Sequence, residues 1–198
     1  ELALLRMVRD FSHSELAPRA ASFESGGEFP RDQLERMSVL GILNCGLPET
    51  VGGAGLRLGL YLQVLEEVAG HWLTPALSVS VHTLACGPLL GDGSEPSAQR
   101  LRALLARELP LGAYCLSESQ AGSDTKGLLC RATREGSTWR LNGTKAWITH
   151  APFASFFTVF ARTDPGSPDL SCFVVPAGTD GISIGLPERK MGLKASPT

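Results

Sequence analysis

Two stretches of this sequence combine residue types able to hold a flat, polar, partly anionic group. The first is Tyr114-Cys115-Leu116-Ser117-Glu118-Ser119-Gln120-Ala121-Gly122-Ser123-Asp124, an apolar run that breaks into a small, hydroxyl-rich loop. Where the chain leaves its ladder at Ala121-Gly122-Ser123, backbone N–H groups are freed. With the hydroxyls of Ser117 and Ser123 they suit an anionic ring edge or a phosphate. The second is Lys145-Ala146-Trp147-Ile148-Thr149, read as a short strand reached through the turn pair Asn142-Gly143. On such a strand the indole of Trp147 and the hydroxyl of Thr149 share a face. A tryptophan in a strand is ordinarily core packing, so residue types alone leave two readings of Trp147 open, a packing residue or a platform for a ring.

The elements that must position these stretches can be read from periodicity. Leu128, Cys130 and Ala132 face one way, Glu135-Gly136-Ser137 makes a turn, and Trp139 and Leu141 begin the return. This pattern predicts one meandering sheet over 114–149 that brings its two ends together. Further strands are expected at 156–162, 170–175 and 182–186, separated by Asp164-Pro165-Gly166-Ser167-Pro168 and by Gly178-Thr179-Asp180-Gly181. Upstream the period is helical. Leu2, Leu4, Leu5, Val8, Phe11 and Leu16 mark a first helix up to Pro18, ended by Ser25-Gly26-Gly27, and a second runs from Pro30 to a Gly41 cap. Others are expected at 58–68, from a Thr74-Pro75 cap onward, and at 97–108. The period changes at Leu109-Pro110-Leu111-Gly112. The fold class is therefore α+β: an N-terminal all-helical domain over 1–112, then a mostly antiparallel β-sandwich or barrel-like domain over 113–198.

Composition narrows the function classes. A chain of 198 residues with 43% hydrophobic residues can bury a sizeable core, and a formal charge of −2 argues against non-specific nucleic-acid binding. The cysteines Cys45, Cys86, Cys115, Cys130 and Cys172 are odd in number and lack any C-x-x-C pair, which fits a reducing compartment better than a disulfide framework or a zinc site. His13, His71, His82 and His150 have no ligand spacing, so no metal is expected. The uncharged run 73–90 contains Pro75, Gly87 and Pro88 and lacks flanking positive charge; a buried helix is expected rather than a membrane span. Gly53-Ala54-Gly55 has no glycine at Leu58 and no preceding strand, so it is not read as a dinucleotide fingerprint. No signal peptide is visible, and because the chain opens on Glu1, residues preceding it are expected in the natural protein.

The paired stretches, in this order and at this separation, resemble the flavin-binding signatures of the acyl-CoA dehydrogenases. The resemblance extends over nearly the whole chain: Leu47-Pro48-Glu49 running into Gly52-Gly53-Ala54-Gly55 is similar to a loop of that family's helical domain, and Met191-Gly192-Leu193-Lys194-Ala195-Ser196-Pro197-Thr198 to a loop late in its β domain. The cofactor implied is FAD, bound through Tyr114, Cys115, Leu116, Ser117, Gly122, Ser123, Trp147, Ile148 and Thr149. Leu116 and Ser117 would serve the pyrimidine edge, with Ser117 standing where threonine is common. Gly122 and Ser123 would approach the pyrophosphate, with Ser123 also near the acyl-CoA substrate. Trp147 would lie against the ring and Thr149 near N5.

The resemblance implies α,β-dehydrogenation of an acyl-CoA thioester, with hydride passing to flavin N5 and electrons then to an electron-transfer flavoprotein. It implies a homo-oligomer, tetramer or dimer, in a bacterial cytoplasm or mitochondrial matrix, and a catalytic base in a third, helical domain beyond Thr198. No residue of this chain is assigned as catalytic. Three positions depart from the family pattern: Ser119 stands for proline, His150 for asparagine and Lys194 for arginine. Two alternatives stay open, an oxygen-using flavin oxidase or monooxygenase on the same fold and a non-catalytic binding protein. Glu118 is expected to be a loop carboxylate held by neighbouring N–H groups rather than a base.

Overall fold

A computed structural model describes all residues from Glu1 to Thr198 except 165 and 168. Both prolines of the turn expected at 164–168 thus lie outside the described residues. The first helical segment continues past Pro18 and stops at Ser25-Gly26-Gly27, where the sequence places its end. It runs as α1 (Leu2–Phe11), widens into a π-turn at Ser12–Leu16 and continues as α2 (Ala17–Gly26). Within the π-turn the N–H of Ala17 reaches five residues back to the Ser12 carbonyl, so the helical bonds have already been shifted where Pro18 enters. Gly27 closes α2 with φ +69°, a conformation that costs glycine little.

Four more helices complete the bundle: α3 (Arg31–Val39), α4 (Leu58–His71), α5 (Leu73–Gly91) and α6 (Glu95–Leu105). Val8, Phe11, Leu16, Leu34, Met37, Val64, Val68 and Val79 bury a common core, which Leu111 enters from the β side. Helix α5 is long and apolar enough to cross a bilayer by composition, yet Thr74, Ser78, His82, Ala85 and Leu89 along it are buried in protein. Its N-cap is Trp72, not Thr74. Thr74 lies inside the first turn and donates its hydroxyl to the Glu24 carboxylate.

The strands are β1 (Gly112–Cys115), β2 (Arg131–Glu135), β3 (Thr138–Asn142), β4 (Phe156–Ala161) and β5 (Ser171–Pro176). They do not form the single meander that the alternation suggested. β1 pairs in parallel with β4, which pairs antiparallel with β5, while β2 and β3 stand apart as a hairpin. The hairpin touches the end of β4 through Ala132 N–H to Arg162 O, 2.8 Å, and Arg162 N–H to Cys130 O, 2.9 Å. Burial explains the parallel pair. Residues of β1 and β4 are covered by the helical bundle on one side and by the 148–154 turn on the other, the setting in which parallel strands are found. The strand expected at 182–186 is absent. Ile182, Ile184 and Leu186 are 38, 47 and 96% exposed, and no described strand offers that backbone a ladder.

Helical and β parts meet at Gly112. A Cβ there would sit 2.8 Å from Phe156 Cε2 and 2.9 Å from Ala85 Cβ, so only glycine lets β1 approach α5 this closely. Beside it, Thr158 Oγ1 donates to the Ala85 carbonyl at 2.7 Å. Gly112→Ala is expected to destabilise the protein by about 1–3 kcal/mol through overpacking, seen as a lower urea midpoint with unchanged m-value. An unchanged midpoint would show that the contact yields without cost.

Candidate functional site

The two chemistry-bearing stretches do come together, but by loop contacts and a buried ion pair. β1 ends at Cys115, and the chain turns at once through Glu118 and Ala121, whose N–H and carbonyl groups bond each other at 2.8 and 3.1 Å. From the other stretch, Ala146 N–H donates to Ser117 O at 2.9 Å, and Lys145 Nζ donates to Leu116 O at 2.9 Å and to Glu118 Oε1 at 2.8 Å. The Lys145 and Glu118 side chains are 10% and 3% exposed, so the pair is withdrawn from water.

Glu118 has every lone pair in demand. Its carboxylate also accepts from Leu129 N–H at 2.7 Å, Cys130 N–H at 3.0 Å and the Gln120 amide at 2.7 Å. Burial raises its pKa, but Lys145 and these three donors outweigh burial and hold it at about 2. A carboxylate this saturated and this acidic is poorly matched to taking a proton near neutral pH. It is built to stay charged and to fasten residues 117–121, 129–130 and 145–146 to one point.

Trp147 is not on a strand. Its φ is +59°, and His150 follows at φ +47°, so residues 147–150 form a turn with two left-handed, non-glycine residues. Such positions cost about 1–2 kcal/mol each and persist where surrounding contacts over-determine them. The face-sharing expected of Trp147 and Thr149 is therefore replaced by turn geometry. Trp147 is 57% exposed, which overturns the core reading of its indole, whereas Ile148 is buried against Ala113, Cys115, Ala154 and Phe157. The turn thus has an apolar peg in Ile148 and an open ring in Trp147.

The remaining site candidates divide by which atoms they can present. The Cys115 side chain is core, and burial pushes its thiol up to about 12, so it is inert and only its backbone faces the loop. Tyr114 turns to the opposite side and packs on Phe160 with ring centroids 5.0 Å apart. Ser117 Oγ lies 3.6 Å from where a Cβ on Gly122 would stand, leaving a small open cradle. Among the described residues the hydroxyls of Ser117, Ser123 and Thr149, and the N–H groups of Gly122 and Ser123, have no protein partner. Free donors around a cradle, with an exposed indole carried on the turn fastened beside them, fit a flat heteroaromatic group bearing phosphate. Periodicity could not reveal the Glu118–Lys145 pair, because its partners are 27 residues apart.

The geometry can now be set beside known proteins. The family profile described as acyl-CoA dehydrogenase, N-terminal domain, matches residues 1–108, and that of the acyl-CoA dehydrogenase middle domain matches residues 113–198. The chain belongs to the acyl-CoA dehydrogenase family. It is 38% identical over 198 residues to the human mitochondrial short-chain specific acyl-CoA dehydrogenase, which covers 98% of this chain and 48% of the relative. Butyryl-CoA dehydrogenase from Megasphaera elsdenii superposes with a TM-score of 0.89 at 29% identity, covering 99% of this chain and 53% of that one. A glutaryl-CoA dehydrogenase from Mycobacterium smegmatis, in complex with FADH2, superposes with a TM-score of 0.88 at 30% identity, covering 98% and 50%. The chain thus spans about half the length of the relatives it matches.

The ion pair sets a pH dependence. Because folding lowers the Glu118 pKa from an ordinary 4.5 to about 2, its contribution is complete above pH 4.5 and is lost as pH falls toward 2. Glu118→Gln is expected to cost about 3–5 kcal/mol at neutral pH, since it leaves the Lys145 ammonium buried and unpaired. The variant should also lose less stability than the parent between pH 4.5 and pH 2. Parallel acid-unfolding curves for the two proteins would contradict the assignment.

Proposed function

We propose that this chain is the flavin-holding half of an enzyme that α,β-dehydrogenates acyl-CoA thioesters, with FAD seated between the 117–123 loop and the 147–149 turn. The observation that carries the reading is the exposed Trp147 ring on a strained turn, fastened by a buried ion pair to a loop of unpartnered hydroxyl and N–H donors. When bound, FAD would supply the two-electron acceptor that no side chain offers. The protein's own part is to bind and orient. Leu116 and Ser117 would present backbone groups and a hydroxyl to the polar edge of the ring, the Gly122 and Ser123 N–H groups would meet the pyrophosphate, and Trp147 would cover a ring face. The Thr149 hydroxyl would donate where electron density grows on reduction, a contact that favours the reduced state because it strengthens only there.

The acyl tail needs apolar surface. A groove between α4 and α5, of about 320 Å³ and lined by Leu65, Glu66, Ala69, Leu73, Ala76, Leu77, Ser80 and Leu193, is proposed to supply it. The proton-abstracting base is expected from the length that the relatives have and these residues do not span, since Glu118 is held too acidic for the task. By the same kinship an electron-transfer flavoprotein is proposed as acceptor, and a homo-oligomer as the working form.

Trp147→Ala is expected to lower FAD retention roughly tenfold, for loss of an aromatic face worth about 1 kcal/mol or more beyond area burial, and to alter the visible flavin band. Equilibrium dialysis and absorbance of the purified protein read both. Unchanged retention and spectrum in a folded variant would remove Trp147 from the site. The 198-residue chain loaded with FAD should give no anaerobic bleaching with acyl-CoA thioesters; bleaching would place a proton-abstracting base among these residues and overturn the reading.

A further inference from the structure

The turn that carries Trp147 and Thr149 ends on His150, a residue left without a role by the reading above. Its ring is fully buried, and its Nε2 lies 2.9 Å from the Gly112 carbonyl. A carbonyl only accepts, so Nε2 carries the proton and the ring is neutral, with burial holding its pKa at about 4. The backbone of His150 is pinned on both sides. Its N–H donates to Pro197 O at 2.7 Å, and its carbonyl accepts from Phe153 N–H at 2.9 Å.

The other face of the same peptide strand is held by a second buried imidazole. Gly112 N–H donates to His82 Nδ1 at 3.0 Å, which fixes the proton of His82 on Nε2, facing Asn44 Oδ1 at 2.9 Å. Like His150, His82 is fully buried, and burial is the main cause that lowers its pKa, to about 3. Two hydrogen-bonded arms thus meet at Gly112, on its two neighbouring peptide groups. One runs from His150 to the Gly112 carbonyl, and the other from the Gly112 N–H through His82 to Asn44, crossing from the turn into β1, α5 and the loop after α3. Each arm requires its imidazole in a single tautomer.

We propose that His150 is a positioning residue that sets the left-handed turn bearing Trp147 and Thr149, and that through Gly112 and His82 it ties that turn to helix α5. This rests on the flavin reading for its function, but not for its structural content. The argument is geometric. A left-handed histidine is strained by itself, and here three hydrogen bonds from three different segments hold it there. Trp147 lies three residues away and is also left-handed, on a turn that Ile148 pegs to the core. Without the imidazole bond the turn keeps that peg and the two backbone bonds of His150, and loses its tie to Gly112.

The test uses the chain labelled with 5-fluorotryptophan, whose three ¹⁹F resonances report Trp72, Trp139 and Trp147 separately. In His150→Phe the Trp147 resonance is expected to shift and narrow while those of Trp72 and Trp139 stay, and FAD is expected to bind roughly tenfold more weakly, as for loss of one buried hydrogen bond. His150→Gln, which keeps a donor, is expected to restore the Trp147 resonance at least in part. An unmoved Trp147 resonance in a folded His150→Phe protein overturns the proposal. If the parent chain binds no FAD while the Trp147 resonance still moves, the flavin reading fails and the positioning role stands. Should His150→Phe not fold, the ¹⁵N imidazole spectrum of the unaltered protein decides: two Nε2–H tautomers support both arms at Gly112, and an Nδ1–H form of either ring sinks the proposal.

Discussion

A carboxylate and an ammonium withdrawn from water, Glu118 and Lys145, hold the site together. Two buried charges are costly unless each is fully paired, and this pair meets that condition through Leu129, Cys130, Gln120 and Leu116 as well as through each other. The saturation makes the pair a fastener. It joins the loop after β1, the start of the hairpin and the approach to the Trp147 turn, three segments that no common strand pairing connects. A substitution on either side would leave a bare charge inside the protein and unfasten these three segments from one another at that point.

A second constraint acts from the opposite side of β1. The strand must lie close enough to α5 for Gly112 to be gripped by His82, and only the missing Cβ allows that approach past Phe156 and Ala85. Hydrogen bonding and packing are therefore coupled at a single residue. The site loop hangs from the C-terminal end of this strand, while the turn opposite is tied to its first residue by His150. Bundle and sheet thus share one reference point, which is how an all-helical core can fix the geometry of a site made of loops.

The last residues extend the same logic. Ala195, Ser196 and Pro197 are buried, Ala195 within the helical core; Ala195 N–H meets Glu24 at 3.3 Å, and Glu24 also accepts from Trp72 Nε1 at 2.8 Å. Burial works against the charge on Glu24, yet these donors with Thr74 keep its pKa lowered. Through Pro197 O the segment also holds His150. A stretch distant in sequence therefore reaches the turn from behind.

The sequence alone determined the helices, the hairpin and the family. Helical spacing of Leu, Val and Phe, the Gly27 and Gly41 stops, and Gly136 at the hairpin turn are local signals, readable because their causes lie within a few residues. The two signature stretches were legible because their residue order is itself the signal. The pairing of β1 with β4 was decided only by the tertiary structure, since parallel partners are joined through intervening chain that carries no turn code. The same holds for the left-handed turn at Trp147, which alternation reads as a strand and which exists because Ile148, His150 and Lys145 are anchored by groups far away in sequence. Segment 182–186 is the converse case: its alternation is correct for a strand, but a strand forms only where another backbone meets its N–H and carbonyl groups.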